Sequence, residues 1–393
     1  MLAALAPVSA LLASVFVLIA GHGLLSTLVP LAGSSFGFSG TTIGLIGTAY
    51  YGGMLAGSFA APYVLRAAGH IRAFAALSAT GVALALLLPI LVSPEAWIAS
   101  RAAHGFCIAA LYTTIESWLN TRTANDWRAR VLSAYNIMHF AGSAAGQQAL
   151  GYIPPSNFAV FSIAAMLLAV SILPLAFTRA DPPAPPEAKR LRLGWLWSIA
   201  PTSAVASFLL GCSSGSFWAL GPLWAAQIGY TPVEVALFIT AVIVGCAAGQ
   251  FPAGYIGDRV DRRVMLAGVG VLACVCSAGL VFMTAQASST VIGFLYGMAI
   301  PTMSVMSSAH ANDRAGRHHA VEVASSLLFL YCLGALIGPT ASARLMDIYG
   351  PQLLFVVNAA VYGLLVVYVL LRIRRREEAE TKTPVETQPL RIK

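Results

Sequence analysis

The chain repeats itself at low identity with a spacing of 192 residues, close to half its length of 393. Adding 192 carries Gly23, Leu28, Pro30, Leu31 and Gly37 onto Gly215, Leu220, Pro222, Leu223 and Gly229. The same shift carries Gly53, Gly57, Phe59, Ala61 and Tyr63 onto Gly245, Gly249, Phe251, Ala253 and Tyr255, and Gly105, Gly142 and Gly146 onto Gly297, Gly334 and Gly338. Most of these are Gly or Pro positions, whose main effect is on the backbone. One ungapped offset serves them all, so the chain reads as two copies of one structural unit.

Each copy is built for a membrane. Hydrophobic residues make up 58% of the chain and charged residues 10%, against about 25% charged in soluble domains. Twelve apolar runs, the first at 8–31 and the last at 351–371, each approach the ~20 residues a helix needs to cross the hydrocarbon core. The predicted fold is all-α, with twelve transmembrane helices in two pseudo-symmetric six-helix bundles. Residues 1–178 form the first bundle, 179–194 a linker, 195–371 the second bundle and 372–393 a partly disordered tail. The linker contains the Pro-rich charged run R-A-D-P-P-A-P-P-E-A-K-R-L-R, which suits a semi-rigid connector. The first span is not a secretory signal, because no Lys or Arg precedes it and it is too long.

Lys and Arg fix the orientation, since they stay on the cytoplasmic side. With both termini inside a bacterial inner membrane, nearly all of them become cytoplasmic; Arg101 and Arg344 do not. The net charge of +8 is then a consequence of topology. Basic residues scattered over successive loops do not make a nucleic-acid surface. All six cysteines fall inside predicted spans, which disfavours a disulfide framework or a thiolate metal site. No phosphate-binding loop and no clustered acid, nucleophile or metal set occurs, so neither an enzyme nor a cofactor is expected. The expected partners are a small-molecule substrate, protons and lipid, with the chain a monomer.

The eighth span ends in G-Y-I-G-D-R-V-D-R-R, Gly254 to Arg263, and the fourth contains R-A-A-H-G-F-C-I-A-A, Arg101 to Ala110. These resemble the cytoplasmic-loop signature and the helix 4 motif of the major facilitator superfamily. With twelve helices and a central linker, the resemblance covers essentially the whole chain. It departs from the pattern at Asp261, where Gly is usual, and at Arg66, where Asp is usual. The drug-antiporter signature is also missing from the fifth span, although Gly334 to Pro339 shows G-A-L-I-G-P. The resemblance implies a secondary transporter working by alternating access, with helices 1, 4, 7 and 10 around a central cavity.

Ionisable groups at bilayer depth cost about 2.5 to 3.5 kcal/mol each on insertion scales and are candidates for function. Arg101, His104, Tyr112 and Glu116 share one face of the fourth span at about 100° per residue. Asn136, His139, Ser143 and Gln147 form a stripe on the fifth, and His22 sits in the first. An imidazole at that depth is suited to relaying a proton. Trp218 and Tyr296 are placed to stack on a solute, which predicts an aromatic or amphipathic one. The expected function is proton-coupled movement of a small organic solute, with export favoured. A proton-coupled uptake symporter, a facilitator, or a non-transporting receptor are the alternatives.

Two expectations concern moving parts. The G-x-x-x-G pairs Gly53/Gly57, Gly142/Gly146, Gly245/Gly249 and Gly334/Gly338 lie in helices that the resemblance sets between the halves, and they are expected to mark surfaces on which the halves pivot. The conformational gate is assigned to Arg66, Gly69, Arg130, Gly254, Asp258, Arg259, Arg262 and Glu322. The offset maps Arg66 onto Asp258 and Arg130 onto Glu322. Arg66 is therefore expected to face Glu322, and Asp258 to face Arg130, when the cytoplasmic side closes.

Overall fold

A computed structural model describes residues 9–122, 127–177, 190–257 and 259–382. The first five spans are α1 (Ser9–Ser35), α2 (Gly40–Ala68), α3 (His70–Ile90), α4 (Pro94–Arg122) and α5 (Arg128–Gln147), the last extended by a 3-10 turn, Gln148–Gly151. The sixth span is split into α6 (Phe158–Val170) and α7 (Leu173–Ala176), because Pro174 cannot bond back to the carbonyl of Val170. The second half contains α8 (Leu193–Ile199), α9 (Pro201–Gln227), α10 (Pro232–Gly257), α11 (Arg262–Phe282), α12 (Gln286–Ala315), α13 (Ala320–Tyr349) and α14 (Leu353–Lys382).

The seventh of the twelve apolar runs, expected as a single helix, is two. Ala200 between α8 and α9 has φ −141° and ψ 59°. Pro201 pushes the preceding residue out of the helical region and opens α9, where its missing N–H is not needed. Leu196 of α8 is buried against Ala311, Val323 and Leu327, tying the end of the linker to the second bundle.

Nine spans are long and apolar enough to cross a membrane among the described residues; α2, α4 and α5 fall short. Two of those three, α4 and α5, bear the polar stripes read from the sequence.

The repeat holds down to individual contacts. A Cβ added at Gly53 or Gly57 of α2 would strike the carbonyl oxygens of Ala102 and Phe106 in α4. At Gly245 or Gly249 of α10 it would strike those of Phe294 and Met298 in α12. Gly142 and Gly146 of α5 meet Phe16 and Ala20 of α1, and Gly334 and Gly338 of α13 meet Phe208 and Cys212 of α9. Every contact partner is displaced by the same 192 residues. These contacts all lie inside one bundle or the other. The glycines therefore fasten each half together and are not pivots between halves, which corrects the expectation above. Backbones this close gain dispersion and Cα–H···O contacts that larger side chains would exclude.

The halves meet along two seams, α2 with α13 and α5 with α10. Successive spans alternate in direction, so the start of α2 and the end of α13 lie on one face, here the far face. The end of α2 and the start of α13 lie on the other, the linker face. On the far face the Asp347 carboxylate of α13 accepts hydrogen bonds from the Gly40 N–H at 3.0 Å, the Thr41 N–H at 2.7 Å and the Thr41 hydroxyl at 2.6 Å. It supplements the N-cap Ser39, whose hydroxyl accepts from the Thr42 N–H at 3.1 Å, and it places negative charge at a helix N-terminus. Two turns deeper, the Thr48 hydroxyl lies 2.8 Å from that of Thr340. In the other seam Asn136 donates to Gln250 at 3.1 Å.

The linker-face end of α2 is different. Arg66 is exposed and lies over the ring of Tyr63 at 5.6 Å, while Glu322 pairs with His319 at 3.9 Å. Arg66 and Glu322 do not pair with each other in this structure, whose hydrogen-bonded α2–α13 contacts are on the far face.

Candidate functional site

A cavity of about 300 Å³ lies between the halves. The first half supplies His22 (α1), Tyr50 and Tyr51 (α2), Arg101 and Tyr112 (α4), and His139, Ser143 and Gln147 (α5). The second half supplies Trp218, Ala219 and Pro222 (α9), Ile239 (α10) and Tyr331 (α13). No residue of α12, the tenth span, lines it. The expected lining by helices 1, 4, 7 and 10 thus gives way to one in which α2 and α5 contribute as much as α1 and α4.

Four polar side chains meet at the first-half wall. His22 Nδ1 lies 3.4 Å from His104 Nε2, and the Tyr50 hydroxyl lies 3.3 Å from His22 Nε2. The two imidazoles stack with centroids 5.6 Å apart. The Arg101 guanidinium lies 4.5 Å from the centroid of the Tyr50 ring, a cation–π contact. Arg101 is only 6% exposed and His104 1%. Helical spacing brings them together: Arg101 and His104 are three residues apart on one face of α4, against Tyr50 of α2. Gly105 allows this approach, since a Cβ there would meet the Tyr50 carbonyl.

A second, looser group adjoins the first. The Tyr112 hydroxyl lies 3.4 Å from His139 Nε2, and Gln147 donates to the Gly23 carbonyl at 3.0 Å. Of the residues singled out from the sequence, His22, Arg101, Tyr112, His139 and Trp218 line the cavity, and His104 stands directly behind His22.

Three predicted site residues are elsewhere. Tyr296 is fully buried away from the cavity, its hydroxyl 3.1 Å from that of Tyr362 and accepting from Asn358 at 3.2 Å. It packs with Phe217 and Phe355 and cannot stack on a solute. Glu116 is exposed, since its turn of α4 has passed the cavity. Asn136 is engaged with Gln250 across the α5–α10 seam. Among the gate residues, Gly69 (φ +74°) ends α2 with its N–H bonded to the Leu65 carbonyl, a geometry that favours glycine. Arg130 lies over Trp127 at 4.6 Å, and Arg262 pairs with Asp313 at 2.6 Å. Gly254 lies near the end of α10, Arg259 follows it, and Asp258 is outside the described residues.

The sequence reading missed Tyr50, Tyr51, Tyr331 and the cross-half cap Asp347. One signal was available for Tyr331, which the offset pairs with His139.

The sequence profile described as Major Facilitator Superfamily matches the chain twice, over residues 11–202 and 203–393. An uncharacterized MFS-type transporter YcaD from Shigella flexneri is 27% identical over 381 residues, covering 96% of this chain and 98% of the relative. Its counterpart in Salmonella arizonae is 26% identical over 387 residues, with the same coverage. Among solved structures, a nucleoside transporter NupG mutant aligns with TM-score 0.79 at 14% identity over 93% of this chain and 99% of that one. The Escherichia coli fucose:proton symporter FucP aligns with TM-score 0.57 at 15% identity over 93% and 98%.

Proposed function

The chain belongs to the Major Facilitator Superfamily, and from that premise we propose that it carries a small organic solute across the bacterial inner membrane, coupled to protons, with both termini cytoplasmic. By family it is a membrane transporter and not an enzyme. The halves rock about the cavity, each held rigid by its own glycine contacts. The cavity volume of about 300 Å³ is at the low end of the ~300 to 1,000 Å³ of ligand sites, which suits a small cargo. Two neighbours in fold are a nucleoside transporter and a fucose:proton symporter.

The observation that carries the proton assignment is the His22–His104 pair at the cavity wall, joined to Tyr50 and beside Arg101. Imidazoles change charge within reach of physiological pH and can take a proton from one face and release it to the other as the halves rock. A receptor that had lost transport would have no use for such a set. Asp347 and Thr48 join the halves at the far face in this conformation. The charges Arg66, Arg130, Glu322 and Asp258 are then the pairs formed when the linker face closes instead.

The test is proton movement in vesicles reconstituted with the purified protein and carrying a pH-sensitive dye inside. A solute that is carried should move protons with it, and the sign of the dye signal distinguishes co-transport from exchange. Solute movement with no proton movement would contradict the coupling.

A further inference from the structure

We propose that the cargo is a monovalent organic anion, a small carboxylate on an apolar or aromatic body, and that Arg101 binds its charged end. This rests on the transport reading above.

Arg101 is the one Asp, Glu, Lys or Arg side chain among the described residues that line the cavity. It has no counterion among them. Its Nε and Nη1 are buried and make no hydrogen bond among the described residues. What it does contact is the ring of Tyr50, whose centroid lies 4.5 Å from the guanidinium carbon and which offers Nε and Nη1 no acceptor. A buried charge is normally paired, because its desolvation is otherwise uncompensated. Here the protein supplies the cation and no anion. The planar, permanently charged guanidinium matches a carboxylate, which can accept two parallel bonds from it.

The remainder of the wall limits what is attached to that carboxylate. Ile19, Ile43, Ile46, Met54, Trp218 and Ile239 surround the cavity with apolar surface, which favours a hydrocarbon or aromatic body over a polyhydroxylated one. One cation suits one negative charge, so a phosphate dianion or a dicarboxylate would leave charge unmatched.

The same charge arrangement sets the coupling. The ionisable groups facing the His22–His104 pair are Tyr50 and Tyr51 from α2, Arg101 from α4, and His139 and Tyr112 around the cavity. Among these Arg101 is the fixed charge, and it opposes a proton on the pair. A bound anion cancels that opposition, so anion and proton favour one another and cross together. The direction is then proton-driven uptake, in place of the export favoured by the sequence alone.

The test uses the full-length protein in detergent and four acid–amide pairs as probes: benzoate, phenylacetate, indole-3-acetate and hexanoate, each against its uncharged amide. Binding is read by calorimetry at pH 7. At least one acid should bind about ten- to a hundredfold more tightly than its amide. Arg101→Gln should abolish that preference, and Arg101→Lys should restore part of it, which separates loss of charge from loss of fold. Equal affinity for acid and amide, binding of none of the four acids, or a preference that survives Arg101→Gln would overturn the proposal. If acids bind with the predicted preference yet never cross a reconstituted vesicle, it is the transport reading that fails. If neutral solutes cross and acids do not bind, transport stands and the anion site falls.

Discussion

The two halves share their glycines and differ in their chemistry. Under the 192-residue shift, Gly105 against the Tyr50 carbonyl becomes Gly297 against the Val242 carbonyl. Yet Arg101 becomes Gly293, His104 becomes Tyr296 and His22 becomes Ser214. Tyr296 occupies the place of His104 and turns into a second-half core of Phe217, Phe355 and Tyr362. The difference separates two demands on one fold. Close backbone approach is a property of the architecture, so both copies need it. A charged group at membrane depth is costly, and only one copy carries it at these positions. Under the proposal above, coupling belongs to the first half, and the second provides a mostly apolar wall.

Breaking the shared part should have the largest effect, and the same effect in both halves. Gly53→Val and Gly245→Val each drive a side chain into a carbonyl of the neighbouring helix. Overpacking of this kind costs about 1 to 3 kcal/mol and more where backbone is struck. Both variants should melt well below the parent protein in detergent. Normal melting of either would show that the two contacts are not equivalent.

Next in size is a contrast at the far-face helix starts, where Ser39 and Thr231 are equivalent N-caps. The second-half helix α10 caps itself, Glu234 accepting from the Thr231 N–H at 2.8 Å. The first-half helix α2 receives its carboxylate from the other bundle, through Asp347. Asp347→Asn should therefore weaken far-face closure by about 1 kcal/mol, an approximately fivefold population shift. Glu234→Gln should loosen α10 locally and shift nothing. Spin-label distances between positions 42 and 348 would report this, and an unchanged distance distribution in Asp347→Asn would remove the latch.

The smallest effect is expected at the α11 start. Asp261 stands where the superfamily signature has Gly, accepts from the Arg263 N–H at 2.8 Å and is paired with its guanidinium. Hydrogen bonding to Arg263 lowers its carboxyl from 3.8 to about 2. A depressed carboxyl stabilises above its unfolded value and loses that stabilisation as pH falls through its folded one. Asp261→Asn should thus differ from the parent by no more than ~1 kcal/mol at neutral pH, the pair being partly exposed. The two should converge in melting temperature between about pH 4 and about pH 2. A gap that is undiminished at pH 2 would assign the stabilisation to something other than charge.

Which helices exist, and that they repeat, was legible because length and hydropathy set the spans and the glycines set the offset. How each helix is rotated, and what it touches, was much less so. In a soluble bundle the apolar stripe marks the inward face, but lipid is as apolar as the core, so that signal is absent. Tyr296 and Trp218 look alike in sequence, and only the packing sends one into the core and the other to the cavity. The glycine pairs were found, yet their partners were read as lying across the seam when they lie inside each bundle. Asp347 went unnoticed because orientation is read from Lys and Arg. Asp258 lies outside the described residues, which leaves the linker-face pairs as proposals.

The claim that coupling resides in the first half is tested most directly by exchanging equivalent positions. Vesicles reconstituted with His104→Gln, with Tyr296→Phe or with the parent protein would be compared for pH-driven accumulation of a carboxylate that binds, and for exchange of that carboxylate at equal pH. His104→Gln should lose accumulation and keep exchange, whereas Tyr296→Phe should keep both. Accumulation that survives His104→Gln, or that is lost in Tyr296→Phe while exchange persists, would contradict it.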